Sequence, residues 1–360
     1  MSFRDENGFL TISDEEYHYS AGYYTMNKWL DNERIVLIRS KDPTIGVDWY
    51  HNPVKCELVV VSLKEKTIKV ICEDETNFEN YVVSNNKIYY SNRTSIIEVD
   101  ITTGIKRVIY QSEISADGLV GVVESPHLTK DGKVMSIFML LEDKNTLLLT
   151  IDVETGTVLN LFKKRFEQPF YIIDHGMVCP TDADLVFFAH EGDTFYVSNR
   201  LWIYDAKNNT AHNIAKQSLN ADGDLGDCFG HEMWSPDGKG IYFVKYPCSP
   251  EPPRGICYVD VATEKVNLLF SQYRYWHVSV SPDGKYLAAD TQTGKNYSQV
   301  VVIDIENKTE TVIEEAPTTW RHPCHPHPSI SPDNSKVIYT TLTEEGRICV
   351  RVGCLNKEEK

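Results

Sequence analysis

The stretch Trp320 to Pro328 reads W-R-H-P-C-H-P-H-P and sets His322, His325 and His327 within six residues of one another. Neutral imidazole ligates Mn, Fe, Ni, Cu and Zn and titrates near neutrality, so a cluster this dense is a metal site or a pH-sensitive group. The interleaved prolines fix φ and forbid a helix, which leaves extended or irregular backbone. In an extended segment side chains two apart share a face, so His325 and His327 act together while Cys324 turns the other way as an inert structural thiol.

These residues are placed by a repeat. W-S-P-D-G-K-G-I-Y-F-V from Trp234, V-S-P-D-G-K-Y-L-A-A-D from Val280 and I-S-P-D-N-S-K-V-I-Y-T from Ile330 each read as a strand, a Pro-Asp turn and a second strand. Weaker copies start at Leu128 and Cys179, and the turn prolines Pro180, Pro236, Pro282 and Pro332 recur at intervals of roughly fifty residues. Extended backwards, the period finds Ser84-Asn85-Asn86 and Leu30-Asp31-Asn32, which makes seven units. Most units continue with alternating apolar and polar residues up to an Asp, then turn and run again, for about four short strands each. Seven such units with almost no helical periodicity predict an all-β, seven-bladed β-propeller of antiparallel blades, a single domain over 1–360; a pair of β-sandwiches explains the spacing less well. After Pro328 there is room for about three strands, so Gly8 to Ser13 is expected to supply the missing outer strand and close the ring.

Within this frame His175, His231, His277 and His327 each lie five residues before the turn proline of their own unit. The strand entering that turn is the innermost of a propeller blade, so the four are expected to converge at one end of the central channel. One histidine in a strand is an ordinary hydrogen-bonded residue; four at one register are poorly explained by packing. A site of His277, His325 and His327, with His322 reaching in, would be a nitrogen-rich metal site with open positions. Trp234, Trp276 and Trp320 are expected mainly in blade packing.

The chain's 360 residues carry a formal net charge of −16, which argues against broad binding to nucleic acid or an anionic membrane while leaving room for a local cationic patch that takes an anionic small substrate. Nine cysteines without repeated spacing suit a reducing compartment, the N-terminus has acidic residues where a signal peptide needs an apolar core, and no apolar run is long enough to span a bilayer; the expectation is a cytoplasmic protein. There is no G-x-S-x-G, P-loop or G-x-G-x-x-G, and His231-Glu232-Met233-Trp234 begins like H-E-x-x-H without its second histidine.

The stretches G-H-E-M-W-S-P-D-G from Gly230, W-H-V-S-V-S-P-D-G from Trp276, H-P-H-P-S-I-S-P-D from His325, and F-F-A-H-E-G followed by R-L-W-I-Y between Phe187 and Tyr204 resemble the oligogalacturonate lyases, as does Y-Y-T-M-N-K-W near Tyr23. The resemblance implies a seven-bladed propeller of pectin and carbohydrate breakdown that cleaves short uronate oligomers by metal-assisted β-elimination. It further implies a divalent metal, usually Mn²⁺, on His277, His325 and His327; His231 as the base that removes the C5 proton; and Arg200 beside the uronate. The family has a glutamine as fourth ligand where this chain has His322. His175, at the register of His231, is expected to contact substrate. The expected partner is an acidic oligosaccharide, with no nucleic acid or membrane, for a monomer or weak homo-oligomer. The competing readings are a non-catalytic module resembling TolB-type propellers, and a metal-dependent propeller hydrolase or epimerase on another sugar.

Overall fold

The computed structural model describes residues 2–6, 8–42, 54–76, 81–115 and 120–355. Their regular structure is entirely β, in seven antiparallel sheets that follow one another along the chain, the arrangement of a seven-bladed β-propeller. Six blades hold four strands in chain order, running 18–76, 81–111, 123–164, 173–215, 229–270 and 275–317. In the seventh, Ser329–Ile330, Lys336–Leu342 and Ile348–Cys354 are completed by Phe9–Ser13, as the sequence predicts, and Ser2–Glu6 adds a fifth strand outside it. The chain divides into two compact units, one of Met1–Asn92, Glu98–Arg107 and His277–Lys360, the other of Arg93–Ile97 and Val108–Trp276. No helix among the described residues is long and apolar enough to cross a membrane.

Local chemistry accounts for the recurring turns. In the S-P-D-G turn, Ser235 Oγ donates to Asp237 Oδ1 at 2.7 Å while accepting from the Gly240 N–H at 3.1 Å, and Gly238 takes φ 69°. Ser281 with Asp283, Ser331 with Asp333 and Thr129 with Asp131 repeat the bond. The later Asp of five units, such as Asp152, Asp260 and Asp304, accepts from the backbone N–H three residues on and turns the chain into the fourth strand. Second strands such as Gly240–Lys245 are buried on both faces and read as unbroken apolar runs, whereas fourth strands such as Val158–Lys164 keep an exposed face.

The first strands depart from regularity where the site begins. The pairing register slips between Glu124 and His127, between Asp174 and Met177, and between Gly230 and Met233. Inside these bulges Ser125, His175 and His231 have φ of 49°, 54° and 54°, and His327, just ahead of its strand, has φ 43°. A bulge adds a residue that the ladder cannot pair and re-aims its side chain.

Ile12 lies in the closing strand opposite Val350, fully buried in a core with Leu37, Val59, Ile338 and Val352. Ile12→Ala should lower stability by about 2–5 kcal/mol, read from the urea midpoint. Arg4→Ala, on the exposed added strand, should stay within about 0.5 kcal/mol of the parent.

Candidate active site

His277, in the strand Tyr275–Val280, is 1 % exposed and is held by Asp290 on the neighbouring strand. The His277 backbone N–H donates to Asp290 Oδ1 at 2.9 Å, and ring Nδ1 lies 2.9 Å from both carboxylate oxygens. A carboxylate accepts, so the ring hydrogen sits on Nδ1 and the lone pair on Nε2. Asp290 also accepts from the His327 N–H at 3.1 Å. His277 Nε2 and His327 Nε2 face each other across 3.2 Å. Two lone pairs cannot face at that distance unless a proton or a cation lies between them, and neighbouring ligands about 2.0–2.1 Å from one ion stand about 3 Å apart.

His325 completes the group: one nitrogen from each of His277, His325 and His327 lies within 4.8 Å of the other two. Extended backbone was one expectation for this run; the structure has an irregular one, with the Cys324 N–H donating to Arg321 O at 2.7 Å and His327 at positive φ. The Cys324 thiol is buried, which pushes its pKa up, in keeping with an inert role. His322 stacks beside the group, its ring centroid 4.4 Å from that of His325 and 5.5 Å from that of His327, although the close set of ligand atoms does not include it. Burial, and then the charges of His277, His325, His322 and Lys28, hold the His327 pKa well below the usual imidazole value, so the ring is neutral, the form that ligates. The donor set is therefore suited to a divalent transition ion.

Sequence reasoning missed what surrounds these rings. Burial raises Asp290 to about 6, against the opposing pull of His325 and of two backbone N–H groups. Tyr23 and Tyr24 wall the site, with Tyr23 4.9 Å from the His327 ring and Tyr24 5.4 Å from that of His277. Lys28, fully buried, donates to Tyr23 O at 3.2 Å, and burial lowers its pKa to about 7. Two signals were available: Asp290 itself, an acid in the otherwise apolar strand segment Y-L-A-A-D, and the stretch Y-Y-T-M-N-K-W, which holds Tyr23, Tyr24 and Lys28.

The other compact unit gathers His175 and Arg200 around Glu232, which was absent from the expected set and directly follows His231. Glu232 is 0 % exposed; its Oε2 lies 2.8 Å from His175 Nδ1, and its Oε1 accepts from Arg200 Nε at 2.5 Å. Arg200 also donates from Nη1 and Nη2 to the two oxygens of Glu191, at 3.2 and 2.9 Å. Three of the five guanidinium N–H groups thus go to protein carboxylates. Burial opposes charge throughout, yet Arg200 and His175 hold Glu232 far below the usual carboxylate range. Burial would also lower His175, but Asp174 and then Glu232 outweigh it and raise the ring to about 9.

His231 differs. Its Nδ1 hydrogen-bonds to the Trp276 carbonyl, and a carbonyl only accepts, so the hydrogen is on Nδ1 and a neutral ring has its lone pair on Nε2. Tyr246 and Trp276 pack on this ring at 5.1 and 5.5 Å. Trp234 belongs to the blade core, Trp320 lies 5.4 Å from the His325 ring, and both nitrogens of His190 are hydrogen-bonded structurally. His51 lies outside the described residues.

An oligogalacturonate lyase family model matches residues 50–353. The chain is 25% identical over 321 residues to an oligogalacturonide lyase of Pectobacterium atrosepticum, covering 78% of this chain and 79% of that protein. It is 26% identical over 212 residues to an oligogalacturonate lyase of Dickeya dadantii, spanning 54% of this chain and about half, 52%, of that one. Among solved structures it is similar in fold to an oligogalacturonate lyase in complex with manganese, with TM-score 0.80, 18% identity and coverage of 97% and 93%. The Vibrio parahaemolyticus oligogalacturonate lyase gives TM-score 0.77 at 18% identity, covering 98% of this chain and 94% of that one.

Asp290→Asn should weaken divalent-ion binding about 10- to 100-fold by calorimetry with Mn²⁺ and Zn²⁺, because the amide no longer enforces the His277 tautomer. Unchanged affinity in a folded variant would show that Asp290 does not orient the ligand.

Proposed function

The chain belongs to the oligogalacturonate lyase family, and from that premise we propose that it is a metal-dependent lyase that cleaves oligogalacturonides or closely related uronate oligomers by β-elimination. The observation that best supports this is the convergence of the His277, His325 and His327 nitrogens, with the His277 tautomer set by Asp290. A proton α to a carboxylate is weakly acidic, because its removal adds charge beside an existing anion. A divalent ion held by these three imidazoles, with His322 as a fourth contact and Mn²⁺ the first ion to test, would supply Lewis-acid stabilisation to that carboxylate.

In this reading His231 removes the C5 proton through Nε2, the nitrogen that its hydrogen bond to the Trp276 carbonyl leaves with the lone pair. Arg200 keeps a positive charge beside the uronate, and the carboxylates of Glu191 and Glu232 fix its plane. His175 contacts substrate from the same register. The proposal includes a cytoplasmic location, which rests on the cysteine pattern of the sequence.

Oligogalacturonate incubated with the metal-loaded protein should give an ultraviolet-absorbing unsaturated uronate, and a chelator should abolish it. His231→Ala should lower kcat about 10²- to 10⁴-fold with little change in KM. A product heavier by one water would mean hydrolysis instead, and a His231→Ala rate equal to that of the parent would remove the base assignment.

A further inference from the structure

We infer that His175 is the general acid of this reaction, an imidazolium held by Glu232 that delivers its Nε2 proton to the leaving oxygen at C4 while His231 takes the proton from C5. The inference rests on the lyase reading and adds the half of the proton balance that a base alone does not supply.

His175 and His231 occupy one backbone position in consecutive blades, each inside a bulge with φ 54°. With backbone geometry matched, the partner of Nδ1 sets them apart. For His231 it is the neutral carbonyl of Trp276; for His175 it is the sealed carboxylate of Glu232 at 2.8 Å. A buried carboxylate stabilises the imidazolium far more than a carbonyl does, and oppositely biased titratable groups at one site mark an acid and a base. The two environments adjoin. Glu232 directly follows His231 in the strand Phe229–Trp234, and buried Tyr246, which packs on the His231 ring, lies within electrostatic reach of Arg200 and Glu232.

Asp174 on its own strand and Glu232 on the next blade favour the cation, Arg200 opposes it, and Glu191 stands within 4.8 Å of the ligand atoms of Asp174 and His175. His127, from the preceding blade, is kept neutral because burial, and then His175, lower its pKa to about 3. The proton of this cluster therefore resides on His175. The side chain keeps 13% of its surface exposed while Glu232 has 0%, so the group that sets the charge is sealed and the proton carrier reaches the surface.

The step balances without a further reactant. The C5–H bond breaks, its electron pair forms the C4–C5 double bond, and the C4–O bond pair leaves on oxygen, which takes the His175 proton. His231 ends protonated and His175 neutral, and exchange with solvent resets both. Glu232 is a positioning residue that acts through His175.

The test compares two substrates, a uronate oligomer whose C4 leaving group is a sugar alkoxide and a uronate carrying an aryloxy group at C4, which departs without protonation. His175→Ala and His175→Gln should lose about 10²- to 10⁴-fold in kcat on the first and little on the second, whereas His231→Ala should lose activity on both. Equal losses on both substrates for the His175 variants would overturn the acid assignment while leaving the lyase reading intact. If the parent eliminates neither substrate, the lyase reading fails on its own. Nitrogen NMR of the His175 ring decides the charge state independently of turnover: the imidazolium should persist at neutral pH and titrate about pH 9, and in Glu232→Gln the titration should move to lower pH. A neutral His175 ring at pH 7 in the parent would also overturn the assignment.

Discussion

One residue too many in the opening strands of three blades governs where His175, His231 and the buried Glu232 lie. Left-handed backbone at a residue with a Cβ costs about 1–3 kcal/mol, and it recurs here at Ser125, His175, His231 and His327. At His175 and His231 the surroundings hold it in place. The His175 N–H donates to Asp174 Oδ1 at 2.5 Å, and ahead of His231 the backbone of Gly230 runs so close to Tyr246 that a Cβ there would meet the hydroxyl at 1.9 Å. The bulge also breaks the two-residue alternation of the strand. Past the bulge Glu232 turns to Arg200 and His175, while His231 turns to the Trp276 carbonyl.

That geometry brings buried charge, and burial sets its terms. Taking Glu232, Arg200 and His175 out of water costs several kcal/mol per ion, an amount offset only when each ion is paired and hydrogen-bonded. Glu232 meets the condition with one oxygen on Arg200 and the other on His175, and Arg200 meets it with a bidentate grip on Glu191. Burial pushes Asp174 up while the charges of His175 and Arg200 pull it down, so this acidic cluster lies inside a chain whose own net charge is −16. An acidic substrate therefore has to be drawn by local arrangement rather than by the field of the whole molecule.

What could be read from the sequence was what depends on near neighbours. The S-P-D-G turns are closed by bonds between residues two to five apart, such as Ser235 with Asp237 and Gly240, so their spacing disclosed the blades and the histidine register five residues ahead of each proline. The grouping of His277, His325 and His327 was legible for the same reason. Asp290 and Glu232 were not, because their roles arise from partners on other strands: His277 and His327 for one, Arg200 and His175 for the other. In the sequence Glu232 looked like the remnant of an incomplete zinc motif. The added strand Ser2–Glu6 was illegible because its outer residues are exposed and charged, with little apolar pattern to declare a strand.

In the proposed mechanism the three strand histidines His175, His231 and His277 put one register to three kinds of chemistry. Each is fixed through Nδ1, so the character of Nε2 follows from the partner on the other side of the ring. The Trp276 carbonyl accepts from His231 Nδ1, so in the neutral ring the lone pair falls on Nε2, where a base needs it. Glu232 and Asp290 are both carboxylates, yet their effects diverge. Glu232 is held ionised by Arg200, so it can stabilise a proton on His175. Asp290 has no guanidinium among its hydrogen-bond partners, its two oxygens accept from His277 and the His327 N–H, and burial lifts it towards the neutral range. Its field is therefore weaker, and the crowding of His325 and His327 around His277 disfavours added positive charge, so that ring is steered towards ligation. The difference between the proposed proton donor and the proposed metal ligand thus lies in what stands behind the carboxylate, two bonds away from the imidazole it directs.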